Sequence, residues 1–153
     1  MSQVSRYWLG AAAAVCVVGA LAHLAMPLGG PEWYLFFGAP PALAQMAEAG
    51  LVRPIVTCVA IAAFLLGMSA FSLSRLGYIR RIPGVRLGLF FFGVLLSVRA
   101  IAFPAIASYS PGALARVCGR CGELNAFVLV SSAVCLFIGV GFLLGVRSGR
   151  AQT

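Results

Sequence analysis

Charged residues are scarce in this sequence, and those of negative sign are nearly absent. Of its 153 residues none is lysine or aspartate, three are glutamate and one is histidine. Charged residues make up 9% of the chain and hydrophobic residues 62%, whereas soluble domains carry about 25% charged residues. This shortage of charge excludes an ordinary soluble domain and predicts a protein that lies in a lipid bilayer.

Signatures of common enzymes are also missing. The sequence contains no Walker loop, no G-x-S-x-G, no H-E-x-x-H and no pair of acids suited to glycoside chemistry. None of the three glutamates falls within a long apolar segment, as the acids of pumps do. We therefore expect a single membrane domain over residues 1–153 that is not an enzyme, unless its cysteines carry redox chemistry.

Four apolar segments are each long enough to cross a bilayer, since a spanning helix needs about 20 mostly apolar residues. They are Tyr7–Leu28, Pro54–Leu73, Leu87–Tyr109 and Ala126–Val146. This pattern predicts an all-α membrane protein, an antiparallel four-helix transmembrane bundle. We do not expect the first segment to be a cleaved signal peptide. Arg6 is the only basic residue before it, and no small-x-small cleavage site follows it.

The arginines are distributed unevenly between the two sides of this bundle. The loops Gly29–Arg53 and Ser110–Asn125 are predicted to be external, because they hold few arginines and all three glutamates. Both termini and the loop Ser74–Arg86 are predicted to be cytoplasmic in a bacterial inner membrane. This topology accounts for the net charge of +8, so no nucleic-acid partner is expected. The seven cytoplasmic arginines are Arg6, Arg75, Arg80, Arg81, Arg86, Arg147 and Arg150.

The first external loop is unusually apolar and contains two segments that begin with proline and end with glycine. Pro31–Gly38 and Pro41–Gly50 are predicted to be short interfacial helices, which either seal the bundle or roof a pocket. Aromatic side chains of the first segment suit the headgroup level of a bilayer. They are Trp33, Tyr34, Phe36 and Phe37.

Arg99 is the most informative single residue, because an ionised side chain at membrane depth is costly. His23 lies at a compatible depth on the first segment, and Glu32 or Glu48 could supply a counter-ion. These four residues predict a polar cluster in the outer leaflet. The cluster is either a structural pin or a binding site for an anionic or lipidic ligand. The protein could also bind a larger membrane complex as an accessory or assembly subunit.

Two cysteines form a C-x-x-C motif, Cys118–Cys121, in the second external loop. We expect these two to form a disulfide and Cys16, Cys58 and Cys135 to remain free thiols. In layout, the sequence resembles membrane thiol oxidoreductases of the vitamin K epoxide reductase and DsbB type. That resemblance implies a catalytic Cys118 and Cys121 with a quinone as cofactor. Those proteins also use a second cysteine pair in an external loop, which Gly29–Arg53 lacks.

Other roles of the motif remain open from sequence. A structural disulfide needs no cofactor, and zinc would need two further ligands beyond Cys118 and Cys121. No metal site is therefore predicted.

Small residues at i, i+4 spacing mark expected contacts between helices, because they let two backbones approach closely. Such steps are Gly141 with Gly145, Ala63 with Gly67, and Gly84 with Gly88. Internal packing and a dimer face are both compatible with them.

Segments 31–39, 46–50 and 71–83 together resemble a group of small four-span bacterial membrane proteins. The resemblance also includes an arginine at the position of Arg99. It implies a fold and a location, and no activity.

Overall fold

A computed structural model of the chain describes residues 2–110, 112–114 and 118–147. Within them it contains four long helices and two short ones. The long helices are α1 (Gln3–Ala25), α4 (Arg53–Leu76), α5 (Val85–Tyr109) and α6 (Ala126–Arg147), and the short helices are α2 (Gly30–Phe36) and α3 (Pro41–Glu48). Each long helix is apolar and long enough to cross a membrane, which confirms the all-helical membrane fold. Arg116 and Arg150, which were used to predict orientation, lie outside the described residues.

The helix boundaries follow local chemistry. α1 begins earlier than the predicted Tyr7 because the Ser2 hydroxyl accepts a hydrogen bond from the Ser5 N–H at 3.2 Å. Pro27 cannot supply the N–H that would continue α1, so the chain passes through a 3₁₀ turn, Met26–Gly29, into α2. The chain between α4 and α5 is fastened by Ser74, whose hydroxyl donates to Arg80 O and accepts from Ile82 N.

The four long helices form a ring in the order α1, α4, α5, α6. α1 packs along α4 and α5 packs along α6, and contact between α4 and α5 is the least extensive in the ring. The larger buried cluster joins all four helices toward the end that holds loop 77–84. Its fully buried members include Leu9, Cys16, Leu89 and Phe142. We call this end the basic end, because most arginines lie there.

Glycines let the helices approach each other closely inside the ring. A Cβ on Gly141 would lie 2.9 Å from Ala12 Cβ, and one on Gly145 would lie 2.8 Å from Leu9 Cδ2. The predicted step in α6 therefore packs internally, against α1. Gly67 has open space around it, so the step predicted in α4 makes no such contact.

Helices α2 and α3 cover the opposite end of the ring, where they pack against each other and α3 packs on α4. We call these two helices the cap, and this end the capped end. The short helices were predicted from the proline and glycine positions, and the structure forms both.

Candidate functional site

The cap is held down by a buried tyrosine. Tyr34 is 1% exposed and packs with Met26, Ala44 and Cys58, and the Cys58 thiol donates to Met26 Sδ at 4.0 Å. Tyr34 therefore does not face outward with the other aromatic side chains of the cap, and its predicted place at the headgroup level stays a prediction. It shares α2 with Trp33 and Phe36, which are exposed, but it lies on the helix face directed at Met26, Ala44 and Cys58.

The C-x-x-C loop, residues 118–121, fastens the cap from the other side. Gly119 N donates to Gly38 O at 3.2 Å, and the Arg120 guanidinium donates to Phe36 O at 2.9 Å. A Cβ on Gly119 would lie 2.7 Å from Ala39 O, so the close approach needs glycine at this position. The loop thus binds the backbone at the end of α2 and directly after it.

The same loop is anchored in the bundle by its disulfide and by the start of α6. Cys118 and Cys121 are bonded, with the sulfurs 2.03 Å apart, which confirms the expected pairing. Cys121 is fully buried with Ala107 and Val128. Asn125 accepts a hydrogen bond from Val128 N and donates one to Arg120 O, so it joins the loop to the first turn of α6.

A cavity of about 580 Å³ lies beneath the cap, between α1, α4, α5 and the C-x-x-C loop. Its polar lining consists of His23, Tyr34, Arg53, Thr57 and Arg99. Its apolar lining includes Met26, Leu43, Met46 and Phe127. Within the described part of the chain, neither aspartate nor glutamate lines it. Two of the described lining side chains carry a permanent charge, Arg53 and Arg99, and both charges are positive.

Arg99 is half-buried at the inner wall of the cavity and contacts an aromatic ring and a thiol. Its Cζ lies 4.3 Å from the centroid of the Phe103 ring, one turn further along α5. Its Nη1 donates to Cys135 Sγ of α6 at 3.2 Å. A thiol is a weak acceptor and a ring face only partly replaces water, so these contacts leave much of the guanidinium's hydrogen-bonding capacity unused.

The expected carboxylate partner does not reach Arg99. Glu32 and Glu48 are both exposed, and among the described residues neither forms an ion pair with Arg99. Glu32 lies in the first turn of α2 and lines a different hollow with Arg120. The reason is depth, because Arg99 lies ten residues before the end of α5, roughly 15 Å along the helix axis. His23 alone of the predicted partners shares the cavity with Arg99.

His23 and Arg53 complete the polar part of the cavity. His23 Nδ1 lies 2.8 Å from Gly19 O, and a carbonyl can only accept, so Nδ1 carries a proton. This bond orients the imidazole and leaves Nε2 as its second polar atom. Arg53 begins α4, where Thr57 Oγ1 donates to its carbonyl at 2.9 Å.

The free cysteines are Cys16, Cys58 and Cys135, as expected. Cys58 and Cys118 both line this cavity. Throughout residues 2–110, 112–114 and 118–147, no group of three or more His, Cys, Asp or Glu side chains could hold a metal ion.

Sequence reasoning missed four residues of this site: Tyr34 as a buried residue, Arg53, Phe103 and Cys135. Arg53 was counted only for orientation, although its place just before Pro54 puts it at a helix start under the cap. Phe103 could have been found from its i+4 spacing to Arg99. Cys135 belongs to another helix, and no spacing in the sequence indicates its contact.

Comparison with protein-family models, with curated proteins and with solved structures finds no match to the chain.

Proposed function

We propose that the chain is a polytopic membrane protein whose capped cavity binds a small anionic amphiphile. The observation that supports this most is that Arg53 and Arg99 line the same cavity. The described lining residues include no carboxylate. We further propose that the capped end faces outward and that both termini are cytoplasmic, as the arginine asymmetry favours. The membrane is then the inner membrane of a bacterium, and no enzymatic step is involved.

Electrostatics favours an anionic ligand. An unpaired arginine at membrane depth costs roughly 2.5–3.5 kcal/mol on insertion scales. Phe103 and Cys135 offset part of that cost, and an anionic headgroup would offset more through charge-assisted hydrogen bonds to Arg99. The N–H or lone pair of His23 Nε2 offers a further polar contact in the same cavity.

Size and polarity favour an amphiphile over a small ion. A cavity of about 580 Å³ falls in the range of about 300–1,000 Å³ that is usual for small-molecule sites. Met26, Leu43, Met46 and Phe127 form an apolar surface that an ion alone would leave without a partner. An acyl or prenyl chain fits that surface, and flexible methionines adapt to it.

Mass spectrometry after mild purification tests this proposal. We expect the wild-type protein to retain an anionic amphiphile, and Arg99→Gln to lose most of it. Arg6→Gln is a matched control, because Arg6 is an exposed arginine of α1 far from the cavity in sequence and in space. Equal retention by the wild type and Arg99→Gln, or retention of zwitterionic lipid alone, would contradict the proposal.

A second candidate function is thiol–disulfide exchange, which one observation favours: Cys118 lines the cavity while Cys121 is buried behind it. In this scheme the reduced pair passes two electrons and two protons to a quinone, forming the disulfide and a quinol. An external dithiol would then reduce the disulfide again.

Thiol trapping in cells separates the two functions. If the disulfide is structural, the pair remains fully oxidised and neither Cys118→Ala nor Cys121→Ala yields a mixed disulfide. If it is catalytic, the pair cycles between two states and one single variant accumulates a mixed disulfide. We expect the first result, because the loop's hydrogen bonds to Gly38 and Phe36 already give it a structural role.

A further inference from the structure

A lateral groove runs between α5 and α6 at the basic end, the end of the bundle opposite the capped cavity. It encloses about 550 Å³. Its walls are Phe90 and Val94 of α5 with Leu143 and Val146 of α6. Arg86 and Arg147, both exposed, stand at its mouth. The groove is therefore apolar along its length and positively charged at one end.

Positive charge extends beyond the mouth of the groove. Arg86 also lines the adjoining hollow with Arg75 and Arg81, and it lies close enough to Arg75 for the two charges to repel each other. All three glutamates of the sequence lie elsewhere, at Glu32, Glu48 and Glu123. Among the described residues no glutamate lines the groove or the adjoining hollow, so an anion from outside the chain would balance the charge of the cluster.

The groove is built by close helix packing. A Cβ on Gly93 would lie 2.9 Å from Leu143 Cγ, so Leu143 packs directly on the α5 backbone beneath the groove. Arg75 Nε donates to Gly145 O at 3.2 Å, which fixes the end of α6 to α4. These contacts hold Arg86 and Arg147 on either side of the mouth without engaging their guanidinium groups.

We propose that this groove binds an anionic phospholipid, with its phosphate between Arg86 and Arg147 and an acyl chain along Phe90, Val94 and Leu143. A free phosphate would leave the apolar walls without a partner, and a zwitterionic lipid would bring its own cation to a cationic mouth. Each arginine near an anionic lipid surface contributes roughly 1 kcal/mol, which is about fivefold in affinity. The site is independent of the capped cavity and of its proposed ligand.

Tryptophan quenching by brominated lipid tests the groove directly. Phe90→Trp places a fluorophore in the groove, and Phe91→Trp is the matched control, because Phe91 is its exposed neighbour on α5 and does not line the groove. We expect brominated phosphatidylglycerol to quench Phe90→Trp at several-fold lower mole fraction than brominated phosphatidylcholine does. At position 91 the two lipids should quench alike, after subtraction of the signal from Trp8 and Trp33.

Charge variants in the Phe90→Trp background identify the headgroup contacts. Arg86→Gln with Arg147→Gln should abolish the preference for phosphatidylglycerol, and the corresponding lysine variants should restore most of it. Arg80→Gln should leave the preference unchanged, because Arg80 is an exposed arginine of the loop before α5 and does not line the groove. Equal quenching of Phe90→Trp by the two lipids, or a preference that survives the double glutamine variant, would overturn the proposal.

Discussion

Substitution of Gly139 by alanine tests how closely α5 and α6 pack. A Cβ at this position would lie 2.6 Å from Ser97 Oγ, 2.9 Å from Gly93 O and 3.1 Å from Ser97 N. Two of these three atoms belong to the backbone, and Ser97 Oγ is held by its hydrogen bond to Gly93 O at 2.8 Å. None can move aside independently, so the two helices must separate to admit the methyl group.

The magnitude follows from two opposing effects. Overpacking at a tight contact costs about 1–3 kcal/mol, and replacement of a helical glycine by alanine returns about 0.5–1 kcal/mol. Because backbone atoms form the contact, we expect the upper part of the cost, and therefore a net loss of about 1–2 kcal/mol for Gly139→Ala. Gly67→Ala is the matched control, since Gly67 is a glycine of α4 with nothing within 4 Å of the added Cβ.

The measurement is reversible unfolding in mixed micelles, by titration with sodium dodecyl sulfate and circular dichroism as the readout. Gly139→Ala should unfold at a lower mole fraction of dodecyl sulfate than the wild type, and Gly67→Ala at an equal or higher one. If Gly139→Ala and Gly67→Ala unfold at the same mole fraction of dodecyl sulfate, the contact between α5 and α6 is looser than the Cβ distances at Gly139 indicate.

Three further predictions concern the cap and the topology. Tyr34→Ala should destabilise the protein by about 3–5 kcal/mol in the same titration, because truncation of a large buried aromatic side chain leaves a cavity. Trp33→Ala, on the exposed face of α2, should destabilise it far less. Equal losses from the two substitutions would contradict the buried role of Tyr34. The double variant Cys118→Ala, Cys121→Ala should lose about 2 kcal/mol, from the small loop that the disulfide closes, and a reducing agent should shift the wild type by the same amount. Alkaline phosphatase fused to the C-terminus should be inactive and green fluorescent protein fused there fluorescent, and the opposite pair of results would reverse the proposed orientation.

Much of the fold was predictable because bilayer thickness and hydropathy act locally. The boundaries of α4, α5 and α6 lie within a few residues of the predicted segments, since a membrane helix must be both long and apolar. Proline and glycine positions likewise indicated α2 and α3. The C-x-x-C disulfide was predictable too, because its two cysteines are close in sequence.

The candidate site was harder to predict, because its contacts join residues far apart in the chain. Arg99 and His23, which were predicted to lie at similar depth, share a cavity. The preference for a carboxylate partner rested on charge alone and ignored the distance from Arg99 to the exposed Glu32 and Glu48. The close contact of Gly139 with Gly93 and Ser97 was missed, because Gly139 has Leu143 at i+4 and the small-residue step from Gly93 to Ser97 was not singled out.

The limited contact between α4 and α5 has a consequence for how a ligand would reach the capped cavity. Both helices contribute to its wall, through Thr57 and Ile61 on one side and Arg99 on the other, and Ile61 is 38% exposed on the outside of the ring. An amphiphile that passes between them arrives from the acyl region and never crosses water. Its occupancy then depends on its mole fraction in the bilayer, so membrane composition, and not the solution concentration, would set how much of the protein is loaded.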